Sequence, residues 1–159
     1  MYIYSHLEPF FCHRLFPCFD QPSIRADLKL SVIVPREDWI LIANGVEKTA
    51  RKSMTDAEAQ ALITESGFTE QGTDGFLWDF EVSPKISSYI YGLCAGEYHQ
   101  IDYIGQDASD NTPIVPMKIF CRKSKLPDLD AKEQFRIVTE AIKYYEEFFS
   151  TPFPYAKYD

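Results

Sequence analysis

The apolar residues of this sequence are spaced in two different ways, and the change between them restricts the fold. In residues 27–34 every second residue is apolar, namely Leu28, Leu30, Val32 and Val34. Alternation of this kind is typical of a β-strand with one buried face. Further strands are predicted over residues 39–43, 76–82, parts of 86–94 and 97–104, and 114–121. We therefore expect this part of the chain to be mainly antiparallel β-structure.

The segment from residue 128 to residue 150 has the spacing of an α-helix instead. Its apolar residues recur three and four positions apart, at Phe135, Val138, Ala141, Ile142, Tyr145 and Phe149. Asp130 is predicted to cap this helix and Glu133 to complete a capping box. Pro152 and Pro154 end it. A helix with such an apolar face needs a surface to cover it.

The segments between these elements carry weaker signals. Asn44-Gly45 is a turn signal at the end of the second predicted strand. The polar segment 46–72 contains a predicted short helix from Thr55 to Ser66, with Thr55 and Glu58 as its capping pair. Residues 105–113 are predicted to form a polar loop.

Composition and charge exclude several classes of partner. The 159 residues carry a net charge of −8, so a nucleic-acid partner is not expected, whereas cationic ligands such as amines suit the surface. No apolar run is long enough to cross a bilayer, and the first residues lack the features of a signal peptide. The four cysteines are scattered, which favours reduced thiols and a cytoplasmic location without assigning the compartment.

The side chains that carry chemistry give few candidates on their own. None of the three histidines lies in a His-Glu-x-x-His motif, and Cys12, His13 and Cys18 lack zinc-finger spacing, so no metal site is predicted for this chain. Cys18 is interpreted as a small apolar filler, and Asp20 as a cap of backbone N–H groups in a proline-led turn. Glu8, in "YSHLEPFF", is either a solvated carboxylate or one held rigidly to meet a cation.

Three separated stretches, taken in order, resemble the zinc aminopeptidases of the aminopeptidase N and leukotriene A hydrolase type. In "HRLFPCFDQPSIRADLKLSV" the matching residues are Arg14, Phe16, Pro17, Cys18, Phe19, Asp20, Gln21, Pro22 and Ala26. In "FEVSPKISSYIYGLCAGEY" they are Phe80, Ser83, Pro84, Ile86, Ser87, Tyr89, Gly96 and Tyr98. The stretch "YYEEFFSTPFPYAKYD" resembles the segment that leads into the catalytic domain.

The resemblance implies a fold and a division into domains. Residues 1–122 would form part of an N-terminal antiparallel β-sandwich or saddle domain. Residues 123–159 would be a linker and the first helix of a thermolysin-like catalytic domain. In the family, zinc and a general-base glutamate of that domain hydrolyse the peptide. Those motifs do not occur in this sequence, so the resemblance implies zinc in the complete enzyme but no metal ligand and no catalytic residue in this chain.

The resemblance assigns a role to one residue. Glu8 matches the position that reaches the active site from the N-terminal domain and helps to hold the free α-amine of the substrate. A carboxylate facing an ammonium makes a charge-assisted hydrogen bond, which would fix the register of an exopeptidase. His6 stands where the family usually has glutamine.

Three functions remain open at this point. In the first case, the chain is a fragment or truncated form of a zinc metallo-aminopeptidase that removes N-terminal residues from peptides, and it is inactive alone. Alternatively it is a non-catalytic β interaction module. In the third case it is one half of a split enzyme and binds a separate catalytic chain.

Overall fold

The computed structural model describes residues 1–48, 52–65, 67, 74–103 and 115–159. The chain divides into two compact units, Met1–Glu97 and Tyr98–Asp159, which are described separately. Among the described residues, no helix is both long and apolar enough to cross a membrane.

The first unit is built from short antiparallel strands and one helix. Its strands are β1 (Tyr2–Tyr4), β2 (Arg25–Ala26), β3 (Ser31–Val34), β4 (Ile40–Ala43), β5 (Lys52–Met54), β6 (Gly75–Asp79), β7 (Ile86–Ser87) and β8 (Leu93–Gly96). The helix α1 covers Asp56–Glu65, and single 3-10 turns cover Cys12–Arg14 and Ser88–Ile90.

These strands form three small sheets in which distant parts of the chain are neighbours. The sheet orders are β1-β8-β4, β3-β6-β5 and β2-β7. Strand β8 lies in the middle of the first sheet, where Gly96 is opposite both Tyr2 and Ile40. Gly96 has a φ of 151°, and a side chain there would lie 2.7 Å from the carbonyl oxygen of Met1, so this crossing requires glycine.

The main core of the first unit is formed by side chains from four of these strands and the residues beside them. Its buried members are Val34, Trp39, Leu41, Ala43, Trp78, Phe80 and Ala95. The rings of Trp78 and Phe80 stack with their centroids 6.3 Å apart. Full burial of a large apolar side chain contributes roughly 1.5–3 kcal/mol to folding. A smaller cluster contains Leu7, Cys12, Ile86 and Tyr91.

The second unit pairs two strands and ends with the long helix. Strands β9 (Tyr98–Asp102) and β10 (Lys118–Arg122) are antiparallel, a 3-10 segment covers Lys123–Asp128, and α2 covers Ala131–Phe149. The chain beyond α2 returns to β10. There Tyr158 donates its N–H to Pro116, and its carbonyl accepts from the N–H of Lys118.

The ends of the helices test the capping predictions. The Asp130 carboxylate accepts the N–H of Glu133 at 3.0 Å, so it caps α2 as predicted. The predicted role of Glu133 is wrong, because its carboxylate instead binds the guanidinium of Arg136 at 2.7 and 2.8 Å. The predicted capping pair of α1 is present: Glu58 accepts the N–H of Thr55 at 2.9 Å.

The predicted fold class is confirmed: the described chain is mostly antiparallel β-structure with a C-terminal helix. The regular strand predicted over 27–34 begins only at Ser31, although Leu28 and Leu30 still bond to the backbone of Ser83 and Phe80. Strands β1, β2 and β5 were not predicted. The loop predicted over 105–113 lies outside the described residues, and the domain boundary after residue 122 stays a prediction.

Candidate functional site

Glu8 lies on a turn that is anchored on both sides. Before it, the N–H of Ser5 donates to the carbonyl of Leu93, and the N–H of Leu93 donates to the Ser5 hydroxyl, both at 2.8 Å. After it, the N–H of Phe11 donates to the carbonyl of Leu7 at 2.8 Å, and Leu7 itself is buried. The backbone around Glu8 is therefore fixed to strand β8 and to the small core cluster.

The Glu8 side chain is exposed on this anchored turn. Within the described ranges, its carboxylate has no hydrogen-bond or ion-pair partner. A carboxylate without a partner is available to a ligand cation, and an ammonium is the cation with which it forms a strong charge-assisted hydrogen bond. This geometry agrees with a carboxylate held rigidly to meet a cation, and that role of Glu8 stays a prediction.

A cleft of about 330 Å³ lies beside this turn. Its lining consists of Ile3, Tyr4, Ser5, His6, Leu7, Phe11, Arg14, Leu15 and Leu93. Glu8 is not part of the lining, whereas its neighbours His6 and Leu7 are. The guanidinium of Arg14 lies 4.7 Å from the centre of the Phe11 ring and is the only Lys or Arg side chain among the described residues that line the cleft. The cleft is thus mostly apolar. Glu8 directly follows two lining residues in the sequence but does not itself line the cleft.

Asp20 holds together the turn that contains the sequence Phe-Pro-Cys-Phe-Asp-Gln-Pro. One carboxylate oxygen accepts a hydrogen bond from the Ser88 hydroxyl at 2.7 Å. The other oxygen accepts the backbone N–H of His13 at 3.0 Å and also lies 2.9 Å from Nδ1 of the His13 ring. The Ser88 hydroxyl, followed by the bonds from His13, lowers the pKa of Asp20 to about 2. Asp20 does accept a backbone N–H, but it is that of His13, seven residues earlier, and not one of the proline-led turn as predicted.

The same turn brings together three side chains that the linear spacing did not connect. The sulfur atoms of Cys12 and Cys18 and a carboxylate oxygen of Asp20 all lie within 4.8 Å of one another. Cys12 is 0% exposed, and Cys18 is partly buried against the small core cluster. Burial, followed by the hydrogen bond with Cys18, raises the pKa of the Cys12 thiol to about 12.

In the second unit, the apolar face of α2 borders a groove of about 550 Å³. The groove is lined by Ile137, Val138, Ala141, Ile142, Tyr145, Glu146, Phe149, Thr151, Pro152, Phe153, Pro154 and Tyr158. Glu146 accepts the N–H of Phe153 at 2.6 Å and so holds the returning segment against the helix. All residues of α2 are described, and among them only Phe135 is buried. Phe148 and Phe149 are 65% and 63% exposed.

Comparison with known proteins gives one family and a consistent set of relatives. Residues 1–90 match the family model described as the peptidase M1 N-terminal domain. The chain is similar to aminopeptidase N of Streptomyces lividans, with 27% identity over 158 residues that make up 99% of this chain and 15% of that protein.

Two further relatives come from distant organisms. Probable aminopeptidase 1 of Saccharolobus solfataricus is 26% identical over 98% of this chain and 16% of its own length. Human aminopeptidase N is 23% identical over 92% of this chain and 13% of its own length. This chain therefore spans 13–16% of the length of these curated relatives.

Proposed function

Because this chain belongs to the family of peptidase M1 N-terminal domains, we propose that it is part of a zinc aminopeptidase that removes N-terminal residues from peptides. One observation carries the proposal. The chain matches aminopeptidases along 92–99% of its own length, while it covers 13–16% of theirs. Its contribution would be the β scaffold and one wall of the substrate cleft.

The residues of this chain do not fit the zinc site of such an enzyme. The sequence has no His-Glu-x-x-His motif, and none of the three histidines His6, His13 and His99 lies four residues from another. Among the described residues, the only group of three metal-ligating side chains is Cys12, Cys18 and Asp20, which contains no histidine. The activation of water for hydrolysis therefore belongs to residues outside this chain, and residues 1–159 alone are expected to be inactive.

Within this chain, Glu8 is the residue that would bind the substrate. Its carboxylate is exposed and has no partner in the described part of the chain, and its turn is anchored to Leu93 and Leu7. An anchored carboxylate can accept hydrogen bonds from the α-ammonium of a peptide and reject chains that extend beyond it. The apolar cleft beside the turn is suited to an apolar part of the peptide.

The exposed face of α2 favours a second candidate function. A helix with Phe148 and Phe149 more than 60% exposed presents a surface that a catalytic portion would cover. If that portion is a separate polypeptide, the chain is one half of a split enzyme. If no catalytic portion binds, the same face makes the chain a non-catalytic interaction module.

The role of Glu8 is tested with Glu8→Ala in a polypeptide that joins this segment to its catalytic portion. Loss of a charge-assisted hydrogen bond should lower kcat/KM for peptides with a free amine by about 10- to 100-fold. Inhibition by an amino-acid analogue should weaken to the level of its des-amino counterpart. Glu81→Ala is the matched control, since Glu81 is also an exposed carboxylate of the first unit. Equal loss of affinity for both analogues would assign Glu8 a structural role.

The assignment of catalysis to other residues is tested with the 159-residue chain by itself. We expect no zinc-dependent release of an aminoacyl reporter, and recovery of activity when the catalytic portion is supplied. Release of the reporter by the pure chain, lost on chelation of zinc, would contradict the proposal.

A further inference from the structure

We propose that Cys12, Cys18 and Asp20 form a binding site for a thiophilic divalent metal ion such as Zn²⁺. Two sulfur atoms and one carboxylate oxygen lie within 4.8 Å of one another at this turn. Nothing in the family match or in the relatives assigns a role of this kind to the three residues. The proposal does not depend on the aminopeptidase function, because it concerns only side chains of this chain.

The spacing of the three ligand atoms is close to that of a tetrahedral metal site. With Zn–S bonds of about 2.3 Å, two thiolates in tetrahedral geometry lie about 3.8 Å apart. The observed limit of 4.8 Å therefore requires each pair to approach by at most about 1 Å. Rotation of side chains supplies movements of this size without a change in the backbone.

The ligand types select the metal. Two thiolates and a carboxylate suit Zn²⁺ and other soft or borderline ions, and they do not suit Mg²⁺ or Ca²⁺, which prefer oxygen. Binding would release the two thiol protons to solvent and involves no oxidation. The fourth position would be taken by water.

The electrostatics of the turn also favour a cation. The Asp20 carboxylate places a negative charge within 4.8 Å of both sulfur atoms. A divalent ion among the three groups would attract the carboxylate and both thiolates to the same positive charge.

The ligands are held from several sides, as ligands of a metal site usually are. Ser88 and His13 bind the two oxygens of Asp20 and orient it. Cys12 belongs to the buried cluster with Leu7, Ile86 and Tyr91. Partial exposure of Cys18 leaves a route for the ion to enter.

The test uses the full 159-residue chain, freed of metal by chelation and kept reduced with a phosphine. Co²⁺ is the probe, because thiolate ligands give it a charge-transfer absorption band. We expect the band to saturate at one Co²⁺ per chain and to disappear when Zn²⁺ is added. The midpoint of thermal unfolding should rise with the concentration of Zn²⁺.

Matched variants separate this site from the other thiols. Cys18→Ala should weaken Co²⁺ binding by more than about 100-fold, and His13→Ala, which removes only an outer partner, by about 10-fold. Cys94→Ala and Cys121→Ala should bind as the wild type does. Cys12→Ala removes a fully buried side chain, so Cys18→Ala is the primary variant and tryptophan fluorescence verifies its folding. A folded, reduced wild-type chain without a saturable band, or an unchanged band in Cys18→Ala, would overturn the proposal.

Discussion

The β-core of the first unit and helix α2 of the second both contain aromatic side chains but bury them very differently. Trp39, Trp78 and Phe80 are at most 5% exposed, whereas Phe148 and Phe149 are above 60%. The strands of the first unit face other strands of the same unit. The apolar face of α2 instead borders an open groove. The β-core of the first unit thus buries its aromatic side chains, although Phe19 elsewhere in that unit is 82% exposed, whereas most aromatic side chains of α2 are exposed within the described chain.

The largest effect is expected from removal of a core ring. Phe80→Ala should lower the free energy of unfolding of the first unit by about 3–5 kcal/mol, because a buried aromatic side chain leaves a cavity. Urea unfolding followed by tryptophan fluorescence measures it, since both tryptophans lie in this unit. The matched change Phe149→Ala should leave the transition in place. Similar losses of unfolding free energy in the two variants would contradict the proposed difference between the core and the helix.

A smaller effect is expected at the start of α2. Asp130→Ala removes the carboxylate that accepts the N–H of Glu133 and should destabilise the helix by about 1 kcal/mol. Helical circular dichroism during thermal unfolding reports the change. Asp130→Ser keeps an oxygen that can cap the helix, so this variant should retain most of the stability. If it does not, the effect lies elsewhere than in the cap.

A pH-dependent effect, smaller again, is expected at Asp79 in strand β6. Its pKa lies below the ordinary 3.8, mainly because the Ser31 hydroxyl donates a hydrogen bond to it, and Lys48 adds attraction. The stabilisation is complete above pH 3.8 and is lost as the pH falls through the lowered value. Urea unfolding of wild type and Asp79→Asn should therefore differ at pH 7 and converge at low pH. A difference that remains at low pH would contradict this explanation.

The smallest effect on stability is expected on the exposed face of α2. Phe148→Ser should change the free energy of unfolding by no more than about 0.5 kcal/mol, as for other surface positions. The same variant should bind less of a fluorescent hydrophobic dye, because it removes an exposed ring. A loss of more than about 1 kcal/mol would mean that Phe148 is covered in solution.

Elements could be predicted from the sequence when the residues that define them lie within the element. Helix α2 and its cap at Asp130 follow from periodicity and capping chemistry within a few residues, and strand β4 follows from a short apolar run that Asn44-Gly45 ends. The role of Glu133 was mispredicted because Arg136, three residues further on, competes for its carboxylate and offers two parallel hydrogen bonds. Strands β1, β2 and β5 are two or three residues long, too short for any period to appear.

The two candidate sites also differ in how much of their signal is visible in the sequence. Glu8 is a candidate from its aromatic neighbours and Pro9, but these leave two interpretations open, and the role in binding an α-amine comes only from the family resemblance. The sequence did not connect Cys12, Cys18 and Asp20, because metal motifs are recognised by regular spacing, whereas here a turn and its bond to Ser88 bring the three side chains together. A signal was present in the sequence: two cysteines and an aspartate within nine positions of a turn.

The position of β8 between β1 and β4 also determines when this sheet can be completed during synthesis. Tyr2 is synthesised long before Gly96, so it finds its partner only when Gly96 has emerged from the ribosome. Until then β1 and β4 lack the strand that lies between them in the described sheet, and their backbone groups facing it are open. The first sheet therefore forms after almost all of the first unit has been translated, and a nascent chain that stalls before residue 93 carries β1 and β4 without the central strand that joins them.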